Sequence, residues 1–247
     1  MDELVGEWQA WREERERGLR APHGWLAITA IHWLTDESQR FDDVPGSWTG
    51  RDHEASVSLA AGESLSLDGR VLGTGTHRIG PFDDLGLRLA FGDAVAQVAA
   101  RDDQVILRPR HPDSPNLTAY RETPCYPPDL DWVLRARYEP YAEPDGDAIG
   151  EVAFEHGGSA HRLVAWDADD GSLWLLFRDA TSGVTTYAAL RQLVTAPPAP
   201  DGTVELDFNR AYNLPCAYTD FATCPVPPPA NTLPFAVDAG EQIPLLV

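Results

Sequence analysis

The chain has 247 residues, 43% of them hydrophobic, which is enough to bury the core of a globular protein. Aspartate and glutamate number 39 against 19 basic residues, giving a net charge of −20. A surface this negative repels nucleic-acid phosphates and anionic lipids, so the sequence argues against a nucleic-acid or membrane role. No apolar run is long enough for a membrane span, and the acidic start Met1-Asp2-Glu3 differs from a secretory signal. We therefore expect a cytoplasmic protein.

The charged residues also predict the habitat. The basic residues are all arginine, and the acidic residues are spread along the chain. Repulsion among the acids destabilises the compact state at low salt, whereas molar salt shortens the Debye length to about 3 Å and screens that repulsion. We interpret the composition as halophilic, with an acidic surface. A GC-rich genome would explain the arginine codons, but it would not explain the acidic excess.

The first predicted element is a helix over residues 2–17. Apolar residues between Leu4 and Trp11 recur at helical spacing, and Gly18 ends the pattern. The apolar stretch 24–34 fits either a buried strand or a second short helix, because apolar residues occupy both its odd and its even positions. The sequence thus predicts one helix at the N-terminus and leaves the next element open.

From about residue 55 the hydrophobic pattern has a period of two, and polar turns separate the segments at roughly ten-residue intervals. Asp68-Gly69 is a two-residue hairpin signal, and no helix recurs between strands. The pattern predicts a mainly β protein, with an antiparallel β-sandwich or barrel-like sheets, the N-terminal helix and a long ordered C-terminal loop, in a single domain over residues 1–247. The predicted strands are 57–59, 65–67, 70–72, 85–91, 104–107, 132–138, 149–154, 161–166, 172–178, 184–190, 204–208 and 233–237.

Residues 210–231 show no strand or helix period, yet they include Tyr212, Tyr218, Phe221 and two of the three cysteines. A disordered segment would not hold so many residues of buried type, so we expect an ordered loop packed across the sheet. Long ordered loops often hold functional residues. We therefore expect any site to lie beneath this loop.

The cysteines and histidines predict no metal and no cofactor. Cys125, Cys216 and Cys224 indicate reduced thiols, and the spacing of the last two differs from that of a zinc knuckle. His156 and His161 flank a Gly-Gly turn where a metal could bind with a carboxylate, but two polar residues at an exposed turn are the commoner case. Dinucleotide, phosphate-loop and hydrolase-elbow motifs are missing from the sequence.

Polar residues collect after the predicted strand 172–178 and on one face of the strand 204–208. If the second strand pairs with the segment that contains Arg191, the side chains of Arg191 and Asp207 come close across the ladder. An arginine fork holds a carboxylate or phosphate through two bonds, so we expect a small anionic ligand. The candidate catalytic residues are Asp207, Arg191 and Asp179, and the candidate ligand-binding residues are Tyr187, Asn209, Tyr212, Asn213 and Cys216.

Each candidate has an expected role. Arg191 would bind the anionic group, and Asp207 or Asp179 would act as general base or orient the ligand. The asparagines would donate hydrogen bonds, and the tyrosines would stack or donate. Cys216 would be a nucleophile only if a base or a helix terminus lowers its pKa.

A set of motifs covers most of the chain: 173–183, Thr186-Tyr187, Arg191, 206–219, 222–229, Asn231, Leu233 and 239–241, with 24–26, Arg108 and 113–115 nearer the N-terminus. On these motifs the sequence resembles the DUF1684 family of uncharacterised bacterial and archaeal proteins. It departs from that family at Leu214, where proline is expected, and at Ala189-Leu190, where a glycine is usual. The resemblance implies no particular activity.

Two interpretations of the polar cluster remain open. The first is a cofactor-independent, hydrolase-like enzyme or a small-molecule-binding protein whose pocket lies beneath residues 210–231. The second is a structural or protein-interaction module in which the cluster only satisfies the main chain of a long loop, where an orphaned group costs about 1 to 3 kcal/mol. Buried structural networks and active sites use the same residue types. The sequence makes no prediction of oligomeric state.

Overall fold

The computed structural model describes residues 2–168 and 170–246. The chain forms two compact units. The first unit consists of Gly18–Tyr120 and Thr219–Ala222, and the second consists of the residues up to Arg17, Arg121–Tyr218 and those from Thr223 onward. The mainly β fold with antiparallel sheets is confirmed. The single domain over residues 1–247 stays a prediction.

The N-terminal helix is confirmed and runs two residues past its predicted end. The helices are α1 (Asp2–Leu19) and α2 (Pro115–Ala119). The strands are β1 (His32–Leu34), β2 (Gln39–Arg40), β3 (Ser47–Arg51), β4 (Glu54–Leu59), β5 (Leu65–Leu67), β6 (Arg70–Leu72), β7 (Gly75–Ile79), β8 (Leu87–Phe91), β9 (Ala94–Arg101), β10 (Gln104–Arg110), β11 (Tyr120–Glu122), β12 (Val133–Asp145), β13 (Ala148–His156), β14 (Ser159–Asp167), β15 (Leu173–Phe177), β16 (Arg191–Val194), β17 (Thr203–Asp207), β18 (Tyr212–Asn213) and β19 (Leu245–Leu246). No helix of the described residues is both long and apolar enough to cross a membrane.

The first unit contains a six-stranded sheet in the order β1-β10-β9-β8-β5-β6 and a four-stranded sheet in the order β2-β3-β4-β7. Alternate residues of both sheets form one core that includes Trp48, Val57 and Leu89. The predicted hairpin joins β5 to β6 at Asp68-Gly69, where both residues have positive φ, 49° and 80°. A glycine at the second position adopts this conformation without strain, which explains the tight turn.

The second unit is built on a seven-stranded antiparallel sheet in the order β17-β12-β13-β14-β15-β16-β18. One face of the sheet forms a core that includes Leu175, Phe177 and Phe208. Leu176 of β15 belongs to a separate apolar cluster. Strand β15 is therefore covered on both faces, as its unbroken apolar run predicts.

Two predicted strands are wrong. Residues 184–190 form turns, and residues 233–237 follow an irregular path. The apolar residues of 233–237 nevertheless have a packing role, since Leu233 and Val237 are buried in the core of the second unit. The alternating pattern predicted the burial of these residues correctly, but their backbone does not form a strand.

Candidate functional site

Arg191 and Asp179 form a buried ion pair in the second unit. The Nη2 atom of Arg191 lies 2.7 Å from the Asp179 Oδ2 atom, and neither side chain is exposed to solvent. Nη2 also donates to the carbonyl of Val237 at 3.0 Å, and Nη1 donates to the carbonyl of Ala239. The guanidinium lies over the ring of Phe177 at 5.2 Å from its centroid. Arg191 thus fixes the irregular segment 233–239 against the sheet.

The other oxygen of Asp179 organises the turn that follows β15. It accepts hydrogen bonds from the amide of Thr181 at 2.6 Å and from the hydroxyl of the same residue. That hydroxyl also lies 2.8 Å from the hydroxyl of Thr186. The bond between the two threonines stabilises a compact turn where the sequence predicts a strand over 184–190.

Asp207 and Asn209 bind the main chain at the edge of the same sheet. Asp207 caps the turn that follows β17 by accepting from the Asn209 amide at 3.1 Å. The Asn209 side chain accepts from the Asp129 amide at 2.9 Å and donates to the Asp129 carbonyl at 2.8 Å. The main-chain carbonyl of Asn209 accepts from the Trp8 indole of α1 at 3.2 Å. Each of these bonds satisfies a main-chain polar group, and the bond from Trp8 also joins α1 to the sheet.

The predicted pairing of Arg191 with Asp207 is wrong. Strand β17, which ends at Asp207, pairs with β12, whereas β16, which begins at Arg191, pairs with β15 and β18. Four strands lie between β16 and β17 in the sheet. The proline-rich segment 197–200 connects these two distant strands.

Glu241 is a buried carboxylate of the second unit with several partners, and it is not among the site residues predicted from the sequence. The residue is 1% exposed, and its carboxylate accepts from the Asn213 amide at 2.7 Å, the Tyr218 hydroxyl at 3.0 Å and Arg15 Nε at 2.9 Å. Arg15 also lies over the ring of Tyr212 at 4.7 Å. Residues 239–241 belong to the motifs that carry the family resemblance, and this was the one sequence signal that pointed to Glu241. Its partner Arg15 lies 226 positions away in the chain.

Burial and charge shift the pKa values of three groups around Glu241. Burial opposes the charge of Arg15, but Glu241 and the neighbouring tyrosines outweigh it and raise the Arg15 pKa above its ordinary value. Burial and then the charge of Glu241 raise the pKa of Tyr218 well above its usual range. The same two causes raise the pKa of Cys125 to about 12. Arg15 therefore stays charged at neutral pH, and the hydroxyl of Tyr218 and the thiol of Cys125 stay protonated.

The Glu241 cluster also positions the predicted residues Asn213 and Tyr212. The side-chain amide of Asn213 donates to the carbonyl of Gln242 at 2.8 Å, and the main-chain carbonyl of Asn213 accepts from Arg15 at 2.7 Å. Next to Glu241, Gly240 has φ +75°, and a Cβ atom there would lie 2.3 Å from the carbonyl oxygen of Ala211. Only glycine permits this approach, which brings Glu241 beneath β18.

Cys216 and Cys224 form a thiol pair within residues 210–231. The Cys216 amide donates to the Cys224 sulfur at 3.3 Å, and the Cys216 carbonyl accepts from the Tyr187 hydroxyl at 2.8 Å. A hydrogen bond from Cys224, followed by weaker ones from Tyr187 and the main chain, lowers the pKa of Cys216 to about 7. A thiol with a pKa this low is partly ionised at neutral pH, and the thiolate is the nucleophilic form of cysteine.

A groove lies on the face of the seven-stranded sheet that is opposite its core. Trp166 of β14 and Trp174 of β15 stand directly opposite each other in the register, with ring centroids 6.1 Å apart and ring planes at 63°. The Trp174 indole donates to Gln192 of β16 at 2.7 Å, which fixes the ring. The groove has a volume of about 630 Å³, and Pro225 and Val226 form one side of it.

We call this feature the aromatic groove, after Trp166 and Trp174 in its lining. The lining is apolar and has an acidic rim. Its carboxylates are Asp147 and Asp167, both on the exposed surface, and none of the described residues that line it is basic. Leu176, Leu190 and Leu214 form a leucine cluster, and Cys216, Cys224 and the two indoles all pack against it. The arrangement can enclose an apolar body and attract a positive charge.

The fold and these sites define an antiparallel β protein with a buried polar network and an aromatic groove beside residues 210–231. The model of the family described as "Protein of unknown function (DUF1684)" matches residues 118–242, just over half of the chain. The chain belongs to the DUF1684 family.

One solved structure similar to the chain is a solution NMR structure of an uncharacterized protein from Haloarcula marismortui. The two are 30% identical over 49% of this chain and 76% of that one, with a TM-score of 0.44. No curated protein matches the chain.

Proposed function

We propose that this protein binds a small organic cation with an apolar body, and that the ligand occupies the aromatic groove beneath Pro225 and Val226. The observation that supports this most directly is the edge-to-face pair of indoles, Trp166 and Trp174, beside two carboxylates. The groove lies within residues 118–242, the part of the chain that the family model matches.

The dimensions and charge of the groove favour this ligand class. Pockets for small ligands usually enclose about 300 to 1,000 Å³, and the groove falls in that range. A cation within about 6 Å of an indole face gains roughly 0.5 to 2 kcal/mol, most when it is desolvated. Asp147 and Asp167 add a negative potential at the rim, which an anionic ligand would have to overcome.

The polar cluster is better explained by the structural interpretation. The terminal nitrogens of Arg191 bond to Asp179 and to main-chain carbonyls, and Asn209 bonds to the main chain of Asp129. An anion at Arg191 would need to displace an enclosed carboxylate. Catalytic and ligand-binding roles for these residues stay predictions, and our proposal places the ligand at the aromatic groove.

A hydrolase is the second candidate function, and one observation favours it. The thiol of Cys216 packs against the leucine cluster that supports the groove, and its lowered pKa makes the thiolate available near neutral pH. In such a reaction the thiolate would attack an ester carbonyl and release an alcohol, and water would then cleave the thioester. Turnover of a phenyl ester by wild type, absent in Cys216→Ser, would support this candidate.

The binding proposal is tested by titrating the protein with benzyltrimethylammonium and following tryptophan fluorescence. We expect a saturable change that is weakened about tenfold by Trp174→Leu and by Trp166→Leu. Trp33→Leu is the matched control, since Trp33 is a partly exposed indole of the first unit, and its affinity should equal that of wild type. Neutral neopentylbenzene and anionic benzoate measure the contribution of charge.

Two results would overturn the proposal. One is equal affinity for the cation and benzoate, because the acidic rim would then have no role. The other is an affinity for benzyltrimethylammonium that both groove substitutions leave unchanged. Circular dichroism of each variant, matched to wild type, shows that a loss of binding does not come from unfolding.

A further inference from the structure

Three adjacent strands of the first unit bring arginines together on one sheet face. Arg88 of β8 and Arg108 of β10 both stand opposite Gln97 of β9, so the three residues form one row across the sheet. Arg110 lies two positions beyond Arg108 on the same strand and therefore on the same face. The opposite face of these strands forms the core of the unit.

Two of these arginines are removed from solvent. Arg108 is 0% exposed and Arg110 is 2% exposed, whereas Arg88 is on the exposed surface. The indole of Trp25 lies against both buried groups, with its centroid 5.2 Å from the Arg108 guanidinium carbon and 5.1 Å from that of Arg110. The ring supplies cation–π attraction to both groups but no countercharge.

Arg110 is hydrogen-bonded to neutral acceptors. It donates to the carbonyl of His23 at 3.1 Å, to the carbonyl of Gly24 at 2.8 Å and to the side-chain oxygen of Gln97. Its Nε atom is buried without a hydrogen-bond partner. Among the described side chains of residues 5–168 and 170–246, no carboxylate forms an ion pair with Arg110.

The charge of Arg110 is therefore uncompensated. Burial first, and then the charges of Arg88 and Arg108, together lower the pKa of Arg110 to about 9. Like charges that share a desolvated site repel strongly, and a buried ion without a partner is destabilising. A negative ion at this position would offset both effects.

We propose that this arginine face, formed by Arg88, Arg108 and Arg110 with Trp25, binds a small inorganic oxyanion such as phosphate or sulfate. The Nε–H of Arg110 donates to one oxygen, and the exposed Arg88 marks the side from which the ion enters. Guanidinium groups match the geometry of oxyanions through parallel N–H donors, and they are weakly hydrated, which favours binding in an enclosed site. The site belongs to the first unit and is independent of the aromatic groove.

The experiment measures thermal midpoints across a potassium phosphate titration at constant ionic strength, with potassium chloride as the balancing salt. Wild type should show a saturable rise. Arg88→Gln should weaken the apparent phosphate affinity by about fivefold, because a charge near the site is removed while the fold is unaffected. Arg70→Gln, an exposed arginine of β6 in the same sheet, is the matched control and should equal wild type.

A second readout observes the site directly. The ¹H–¹⁵N resonance of the Arg110 Nε group, assigned through its loss in Arg110→Lys, should shift during the phosphate titration and saturate at the same concentration. An unchanged resonance, or an affinity that is identical in wild type and Arg88→Gln, would overturn the proposal. Equal saturable stabilisation by chloride at fixed ionic strength would also overturn it, because the site would then lack selectivity for an oxyanion.

Discussion

The Arg191 guanidinium and the Asp179 carboxylate lie 2.7 Å apart with both side chains fully enclosed, twelve positions apart in the sequence. Their other bonds go to the main chain of residues 237–239 and to the turn after β15. The pair therefore joins an irregular C-terminal segment to the central part of the sheet. An ion pair of this kind specifies one arrangement of the chain, because any other arrangement leaves a charge buried alone.

Removing one member of this pair should destabilise the protein severely. Asp179→Asn and Arg191→Met should each lower the free energy of unfolding by about 3 to 5 kcal/mol, and the double variant should lose less than the sum. Urea denaturation measures these values. Arg178→Met, an exposed neighbour, should change stability by less than about 0.5 kcal/mol. Losses below about 1 kcal/mol in both single variants would contradict a bracing role.

The ion pair between Arg15 and Glu241 predicts local behaviour in α1. Glu241→Gln keeps the shape of the side chain but removes the charge that Arg15 faces at 2.9 Å. Hydrogen exchange of the α1 amides should then accelerate about tenfold or more, since a partly buried ion pair is lost. Glu7→Gln is the matched control, because Glu7 pairs with Arg210 on the exposed surface of the same unit. Equal exchange in the two variants would refute the prediction.

Cys216 should react with iodoacetamide at neutral pH. Its pKa of about 7 predicts an alkylation rate that rises with pH and is half-maximal near pH 7, whereas Cys125, with a pKa of about 12, should remain unreacted. A lowered thiol pKa in the folded state stabilises the fold at alkaline pH, and this contribution is lost as the pH falls through 7. Cys224→Ala removes the main cause and should move the half-maximal pH upward. Peptide mass spectrometry separates the three thiols, and a midpoint unchanged by Cys224→Ala would count against the pairing.

Local patterns in the sequence predicted the parts of the fold that depend on neighbouring residues. The hairpin at Asp68-Gly69 follows from turn chemistry, and the central strand β15 follows from its apolar run. The pairing of β17 with β12 could not be predicted in this way, because the residues it joins, such as Val133 and Asp207, are far apart in the chain. Register between distant strands depends on the whole sheet.

The same distinction applies to the candidate site. The sequence identified Asp179, Arg191 and Asn213 as a polar group, and all three are buried in the second unit. It missed Arg15 and Glu241, because their contact joins the N-terminal helix to the C-terminal segment. The groove was also missed, since Trp166 and Trp174 lie in strands where large apolar residues usually indicate core. Their exposure depends on which sheet face the surrounding segments leave open.

The net charge of −20 predicts that salt stabilises this protein. Between 0.1 M and 1 M KCl the Debye length falls from about 10 Å to about 3 Å, so repulsion between exposed carboxylates is largely removed. The thermal midpoint should therefore rise steeply over this range and more slowly above it, as measured by circular dichroism.

A charge variant separates screening from general salt effects on the protein surface. Neutralising four exposed acids removes part of the repulsion, so the midpoint at low salt should rise and its dependence on KCl should become shallower. The substitutions are Asp103→Asn, Glu143→Gln, Asp145→Asn and Asp238→Asn. Sucrose at equal osmolality serves as the uncharged control, because it favours burial without screening charge. A wild-type midpoint that stays flat or falls between low and molar KCl would refute the halophilic interpretation of the acidic composition.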